Sequence, residues 1–378
     1  MTSVSFIPCP SYAQAPDAVR RAVESLGSLT PFFRPGQRVL IKPNLLADAF
    51  PDQAVTTHPE IARAVIRLAR EAGAHPAVGD SPAGALRVTD VWEKTGFRAL
   101  CEQESVPLLN LEQTGSTAFS CGAVSFTVAK PVLEADLVVN LPKVKTHSLT
   151  VLTAGVKNLY GTLPGFQKAN LHAAFPTPSD MGRLLARITE IVKPGLTIAD
   201  GVIGMDGNGP SGGEPVNLGF VAASTDPVSL DAALCQVLGI PLAAVPWFQH
   251  FSRERSTSIS LTGQPPAPGS LRFRLPGTWR NRLIPRFLVR LLAPLLWVRP
   301  VVDSTRCIQC GRCASACPTR ALAFKTNTTP RLHGQICIGC CCCHELCPVK
   351  AIHMTESWLM RRISHGRLTS TPPSEAHS

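Results

Sequence analysis

Residues 38–82 read RVLIKPNLLADAFPDQAVTTHPEIARAVIRLAREAGAHPAVGDSP. The first eight, RVLIKPNL, are an apolar run that stops at Pro43, the pattern of a short strand buried on both faces. The segment VTTHPEIARAVIRLAREAGA (55–74) reads as a helix. Thr57 and Glu60 have the spacing of a capping box, Pro59 falls in the first turn, and Gly73 follows the end. Ile61, Val65, Leu68 and Ala72 form its inner stripe. PAVGDSP (76–82) is then the next strand and its turn. A strand, a helix and a strand in this order imply two parallel neighbours.

The same design recurs downstream. ADLVVNLPKVKTH (135–147) and LTIADGVIGMDGNG (196–209) are apolar strands with polar groups at their ends. DPVSLDAALCQVLG (226–239) is a helix with Asp226 as its cap and Pro227 in its first turn. Residues 1–255 therefore read as an α/β domain with a largely parallel sheet. In such sheets ligands bind beyond the carboxyl ends of the strands. KPNL, GDSP, LPKVKTH and ADG all fall there. The polar set at these ends is Lys42, Asn44, Asp80, Lys143, Lys145, His147, Lys157, Asn158 and Asp200. Lysines gathered in a crevice attract carboxylates or phosphates. Lys143, Lys145 and His147 are the candidate catalytic groups, since a histidine there can exchange protons near neutral pH. Lys143 and Lys145, two apart on an extended chain, should point the same way. Lys42, Asn44, Asp80, Lys157, Asn158 and Asp200 are the candidates for holding a substrate or a second cofactor, whose identity the sequence leaves unknown. The plainer reading makes these lysines solvated surface charges and His147 a satisfied turn residue. A metal site of His58, His147, His172 and Asp80 has no ligand spacing to support it. GNGPSG (207–212) matches a dinucleotide fingerprint by letter, but Pro210 interrupts it and EPVNLGFVAAS, a strand pattern, follows where a helix is required. It reads as a glycine-rich turn between strands.

A repeat organises the C-terminal part. CIQCGRCASACPTRAL (307–322) and CIGCCCCHELCPVKAI (337–352) coincide when shifted by thirty positions. Both then show C-x2-C-x2-C-x3-C-P, the spacing that holds a 4Fe-4S cluster in bacterial ferredoxins. Two-residue gaps let three thiolates converge on one cluster, and the cysteine before proline is carried to the other. One cluster is thus expected on Cys307, Cys310, Cys313 and Cys347, and a second on Cys337, Cys340, Cys343 and Cys317. Zinc needs four thiolates per ion but neither the proline nor the tandem symmetry. Cys341 and Cys342 are surplus to the pattern and read either as small space-filling residues or as thiols for ligand exchange or redox sensing. Residues 303–356 form a small α+β, ferredoxin-like domain.

Ten of the 14 cysteines lie in 307–347, which speaks against a disulfide framework and for a reducing, cytoplasmic setting. The N-terminus carries no signal-peptide pattern, and no run is long enough to span a membrane. The formal charge of +11 ignores metallated thiolates, and aromatics at 6% without a recognisable module exclude a nucleic-acid partner. Residues 256–302 are a basic, apolar connector, with no acidic residue from 255 to 302. The stretch 272–300 reads as packed between the domains or, in a sharper reading, as a peripheral membrane contact. Residues 357–378 read as a disordered tail.

IKPNLL (41–46), TTHPE (56–60), GDSP (79–82), NLPKVKTH (140–147), GVKNLYG (155–161), ADGVIGMDGNGPSGG (199–213) and DPVSLD (226–231) occur in this order. With the tandem cysteine runs behind them, they resemble the domain of unknown function 362 family over roughly residues 15–355, members of which often end in a tandem 4Fe-4S domain. The resemblance implies iron–sulfur binding and a redox role without a settled substrate. Two functions follow as expectations. One is a redox enzyme in which two clusters exchange electrons with an anionic small molecule at the strand ends. The other is a non-catalytic electron carrier, or a cluster- or metal-delivery scaffold, whose α/β domain docks a partner. Either needs a redox partner protein.

Overall fold

The computed structural model describes residues 1–27, 29, 32–83, 86–277, 295 and 297–365. In chain order the N-terminal part runs β1 (Thr2–Pro8), α1 (Ala15–Glu24), β2 (Arg38–Pro43), α2 (Pro59–Glu71), β3 (His75–Asp80), α3 (Val88–Lys94), α4 (Phe97–Gln103) and β4 (Leu108–Asn110). A hairpin of β5 (Ser116–Cys121) and β6 (Val124–Ala129) follows, then α5 (Lys130–Glu134), β7 (Leu137–Leu141), β8 (Lys143–His147) and β9 (Val151–Thr153). The domain continues with α6 (Gly155–Asn158), α7 (Gln167–Ala174), α8 (Pro178–Val192), β10 (Leu196–Asp206), β11 (Glu214–Ser224), α9 (Pro227–Leu238), α10 (Glu254–Thr257) and β12 (Ile259–Gly263).

One sheet has the order β12-β1-β11-β10-β7-β2-β3-β4. The run from β10 to β4 is parallel throughout, and β11 enters antiparallel to both its neighbours. Side chains alternate between the two faces. Leu40 and Val138 pack on one face with α8 and α9, while Val39, Ile41, Leu137 and Val139 pack on the other with α1 and α2. Helices thus cover both faces, and that is why the central strands are apolar without interruption. The carboxyl ends of β2, β3, β7 and β10 emerge on one side.

One sequence expectation is corrected at a helix end and another is met. Thr57 does not cap α2. Its hydroxyl donates to the Leu141 carbonyl (2.6 Å) and accepts from the Asn44 amide (2.8 Å), so it ties two strand ends together. His58 takes the cap, its Nδ1 accepting from the Glu60 amide at 3.2 Å. Asp226 caps α9 as expected, accepting from Val228 and Ser229.

The α/β domain also extends past residue 255. β12 pairs in parallel with β1, and Arg274 holds Asp206 at 2.7 Å. The connector is correspondingly shorter at its far end, because β13 (Val298–Val302) already pairs with β16 (Ile352–Glu356). Most of 272–300, including the segment considered for membrane contact, lies outside the described residues. No helix among the described residues is long and apolar enough to cross a membrane.

Between β13 and β16 the repeat folds into two copies of one small unit. α11 (Arg312–Ser315) and α12 (Cys342–Glu345) are equivalent, and β14 (Leu322–Ala323) pairs with β15 (Arg331–Leu332). Its core is small: Cys313, Leu322, Cys343 and Ile352. α13 (Trp358–His365) begins where the sequence suggested disorder, with the Arg362 guanidinium 4.6 Å from the Trp358 ring centroid, a pair one helical turn apart. The remainder of the tail lies outside the described residues.

Candidate active site and iron–sulfur centres

The strand ends of the α/β domain open onto a cavity of about 110 Å³. Seven of the residues singled out in the sequence line it: Lys42, Asn44, Asp80, Lys145, His147, Lys157 and Asn158. Five of them, Lys42, Asn44, Asp80, Lys145 and Asn158, form one hydrogen-bonded network. Lys42 Nζ donates to Asp80 Oδ1 (2.7 Å) and to its own strand at Pro43 O (2.8 Å), and the other Asp80 oxygen accepts from the Leu45 amide (2.7 Å). Asn44 donates to Asn158 Oδ1 (3.0 Å) and accepts from Lys145 Nζ (3.2 Å), which also donates to Val55 O. Asn158 in turn donates to Asn140 Oδ1 at 2.8 Å. Gly161 closes over the Lys42–Asp80 pair so tightly that a Cβ there would lie 2.5 Å from Asp80 Oδ1.

Lys143 and Asp200 belong elsewhere. Lys143 Nζ donates to Asp200 Oδ2 and to the Tyr12 hydroxyl, each at 2.8 Å, and Tyr12 donates to Asp200 Oδ1 at 3.0 Å. His58 stacks on Tyr12 with ring centroids 3.6 Å apart, and its amide donates to Asp200. Lys143 and Asp200 are buried, Tyr12 and His58 half-buried, and none of the four lines the cavity. The expectation that Lys143 and Lys145 share a direction fails because β8 pairs irregularly with β10: Lys143 faces Asp200, but Lys145 faces Met205. The register shift sends the two ammonium groups into different networks.

Burial sets the charge states in the cavity. It lowers Lys42 and Lys157, and brings Lys145 down to about 7, with Glu345 pulling it up and Lys143 and Lys157 pushing it further down. Lys168 falls to about 8 for the same reason. His147 and His172 drop to about 4 and about 3 by burial and are neutral near pH 7. His147 Nδ1 accepts from the Leu149 and Thr150 amides, so the proton sits on Nε2, which lies 3.1 Å from Glu345 Oε1. The β8–β9 turn that fixes this ring includes Val151 at φ 67°, a costly conformation for a β-branched residue and a mark of local strain beside the cavity.

Several lining residues were not foreseen as holding a substrate or second cofactor: Thr153, Tyr160 and Lys168, His172, which was weighed only for a metal site, and, from the cysteine-rich domain, Glu345 and Cys342, which was weighed only as a space-filling residue or a thiol for ligand exchange or redox sensing. Lys168 and His172 come from a helix with no local signal, whereas Tyr160 lies in the GVKNLYG segment. Glu345 had a local signal. In the repeat frame His344 and Glu345 replace Ala314 and Ser315, and those departures mark a docked face. His344 Nε2 lies 2.8 Å from Asn208 O, Ser211 bonds the Glu345 carbonyl, and Lys350 Nζ donates to Gly213 O at 2.8 Å. The glycine-rich turn 207–213, with its cis Gly209–Pro210 bond, is thus the dock for α12. On the equivalent α11, Arg312 reaches Asp48 at 2.8 Å.

The cysteines gather in the crossed manner their spacing implies. Cys307, Cys310, Cys313 and Cys347 line one small cavity. Cys317, Cys337, Cys340 and Cys343 line another, together with Cys341 and Cys342. The amides of Ala321 and Ala351 donate to Cys317 and Cys347, each at 3.1 Å, at equivalent places in the two repeats. Thiols around a void, with amides turned to sulfur, suit a cluster. Among the described residues no group of three or more His, Cys, Asp or Glu side chains is placed to hold a single metal ion.

Residues 39–236 match the model of a domain of unknown function, DUF362, which spans over half of the chain. The chain belongs to the DUF362 family. Residues 300–354 match a 4Fe-4S dicluster domain, so this DUF362 protein is an iron–sulfur protein. It is 36% identical over 248 residues to a thylakoid-associated protein of Synechocystis, covering 65% of this chain and 77% of that one. Among solved structures, the lactate racemase apoprotein of Thermoanaerobacterium thermosaccharolyticum aligns with a TM-score of 0.41 at 15% identity, over 60% of this chain and 55% of that one. A Thermotoga maritima protein aligns at 0.34 and 13%, over 52% and 51%. The DUF362 chain spans about half the length of these two structures.

Proposed function

We propose that the chain is a ferredoxin-linked redox enzyme acting on an anionic substrate or second cofactor held in the strand-end cavity. Two 4Fe-4S clusters, one on Cys307, Cys310, Cys313 and Cys347 and one on Cys337, Cys340, Cys343 and Cys317, supply single electrons there when bound. One observation carries this reading. Cys342 lines both the cavity of the second cysteine set and the cavity of the α/β domain. A single side chain therefore separates the iron-binding space from a buried, lysine-lined chamber. A carrier needs a partner-facing surface but has no use for such a chamber.

The chain's own groups would attract the anion through Lys145 and Lys157 and keep water out by burial. Lys145, poised at about 7, can hold or release a proton that accompanies an electron near neutral pH. His147, neutral and with its Nε2 3.1 Å from Glu345 Oε1, is the second candidate for moving a proton. Lys143, which sequence reasoning grouped with them, acts here as support for the sheet. Electrons would come from a redox partner protein in a reducing, cytoplasmic setting.

The test is anaerobic purification, denaturation, and analysis of everything released. About eight irons with matching sulfide are expected per chain, together with one small anionic molecule. His147→Ala should release the molecule while iron stays. Iron and sulfide alone, with electron exchange to a partner untouched by His147→Ala, would instead make the chain a carrier.

A further inference from the structure

Most of the cavity's polar groups are already satisfied, and a few are not. Lys42 and Lys168 each have at least two acceptors within 2.8 Å: Asp80 and Pro43 O for Lys42, and Ser81 and Pro82 for Lys168. By contrast, Glu345 Oε1 is buried without a hydrogen-bond partner among the described residues, and so, on the donor side, are His172 Nδ1 and Thr153 Oγ1. His172 and Thr153 are 4% and 3% exposed. Lys157 Nζ makes no hydrogen bond among the described residues and lies 4.3 Å from the centroid of the Tyr160 ring. Lys145 has two acceptors for its three protons.

We infer that the cavity takes a small dianion, its oxygens received by Lys157, His172, Thr153 and the third proton of Lys145. This rests on the reading of the cavity as an anion site and specifies its ligand. Buried polar groups without partners are costly, and all four of these can donate. Charge sets the valence. Four lysines face two carboxylates, Asp80 and Glu345, so with both imidazoles neutral and the lysines protonated, as a bound anion favours, the chamber carries an excess of two positive charges. A cluster behind Cys342 would offset part of that charge, but it offers no acceptor to the unpartnered donors. Leu45, Leu46, Pro82, Ala83 and Phe166 line the rest and leave room only for a short hydrocarbon portion. Binding should also take up a proton. Lys145, which faces Lys143, Lys157, Asp80 and Glu345, sits at about 7 without ligand, and a dianion beside it favours the charged form. Affinity is therefore highest at and below pH 7 and falls as pH rises above it.

The experiment is anaerobic titration calorimetry of the cluster-loaded full chain at fixed ionic strength. The probes are sulfate and malonate as dianions, and nitrate and acetate as monoanions. At least one dianion should bind once per chain, on the order of tenfold tighter than either monoanion, and should weaken from pH 7 to pH 9. Lys157→Met and the near-isosteric Thr153→Val should each weaken it severalfold with cluster absorbance and circular dichroism unchanged. Monoanions binding as tightly as dianions, sensitive to the same variants, would overturn the dianion and leave the anion site standing. Failure of all four probes to bind would overturn both.

Discussion

Cys342 occupies the place of Arg312 in the repeat, and the two meet the α/β domain with different chemistry. Arg312 pairs with Asp48, a contact made by charge. Cys342 offers a small thiol to two cavities at once, where an arginine would fill the chamber. Cys341, its neighbour, adopts φ 67° like Gly311, at φ 72°, in the first run. On the proposed ligation neither cysteine is needed, since each cavity already has four patterned thiols. The double variant Cys341→Ser, Cys342→Ser should therefore keep about eight irons, whereas Cys343→Ser should lose about four. Iron and sulfide assays decide it, and iron loss from the serine pair would make one of them a ligand. Lys143 teaches the opposite lesson. It looks catalytic in sequence but is fully buried and paired with Asp200, and such pairs are retained because removing one partner strands the other charge.

At the scale of elements, the decisive contact is a turn against a four-residue helix. The turn 207–213 presents the Asn208 carbonyl, the Ser211 hydroxyl and the Gly213 carbonyl to α12 and the residues after it. Gly212 is required there by closeness alone: a Cβ would run into the His344 ring. His344 cannot easily give way, because its Nδ1 is held at 2.7 Å from Ile352 O. Gly212→Val should therefore push α12, and with it Cys342 and Glu345, away from the chamber. Overpacking of this kind typically costs about 1–3 kcal/mol. The expected outcome is retained iron, a lower urea midpoint and a weakened cavity ligand. Unchanged ligand affinity in a variant with a lowered midpoint would show that α12 does not form the working wall. The same turn reads by letter as a nucleotide fingerprint, and only the strand pattern after it revealed that it joins strands.

The whole molecule divides into parts that the sequence exposes unequally. The sheet was legible because strands covered on both faces must be apolar throughout, and the cluster cysteines were legible because thiol spacing is covalent. The chamber was half legible. Lys42, Asn44 and Asp80 sit at strand ends, where position follows from topology, but Lys168 and His172 arrive through tertiary packing that leaves no local trace. The docking of one domain on the other was hidden for the same reason. This division has an energetic consequence. The α/β domain owns two extensive cores, one on each face of its sheet. The cysteine-rich domain's own hydrophobic cluster has only four buried members, two of them cysteines expected to bind iron. So small a core cannot order residues 300–356 without metal, and cluster binding is there folding free energy. Chelating the iron should unfold that domain and leave the sheet intact. Hydrogen exchange would then rise throughout 300–356, and also at 145–149 and 207–213, which lose Glu345 and α12 as cover. Amides of β2 and β7, central in the sheet, should stay protected. Equal loss of protection in β2 and β7 would mean that the two domains fold as one cooperative unit, with the clusters as part of a single core.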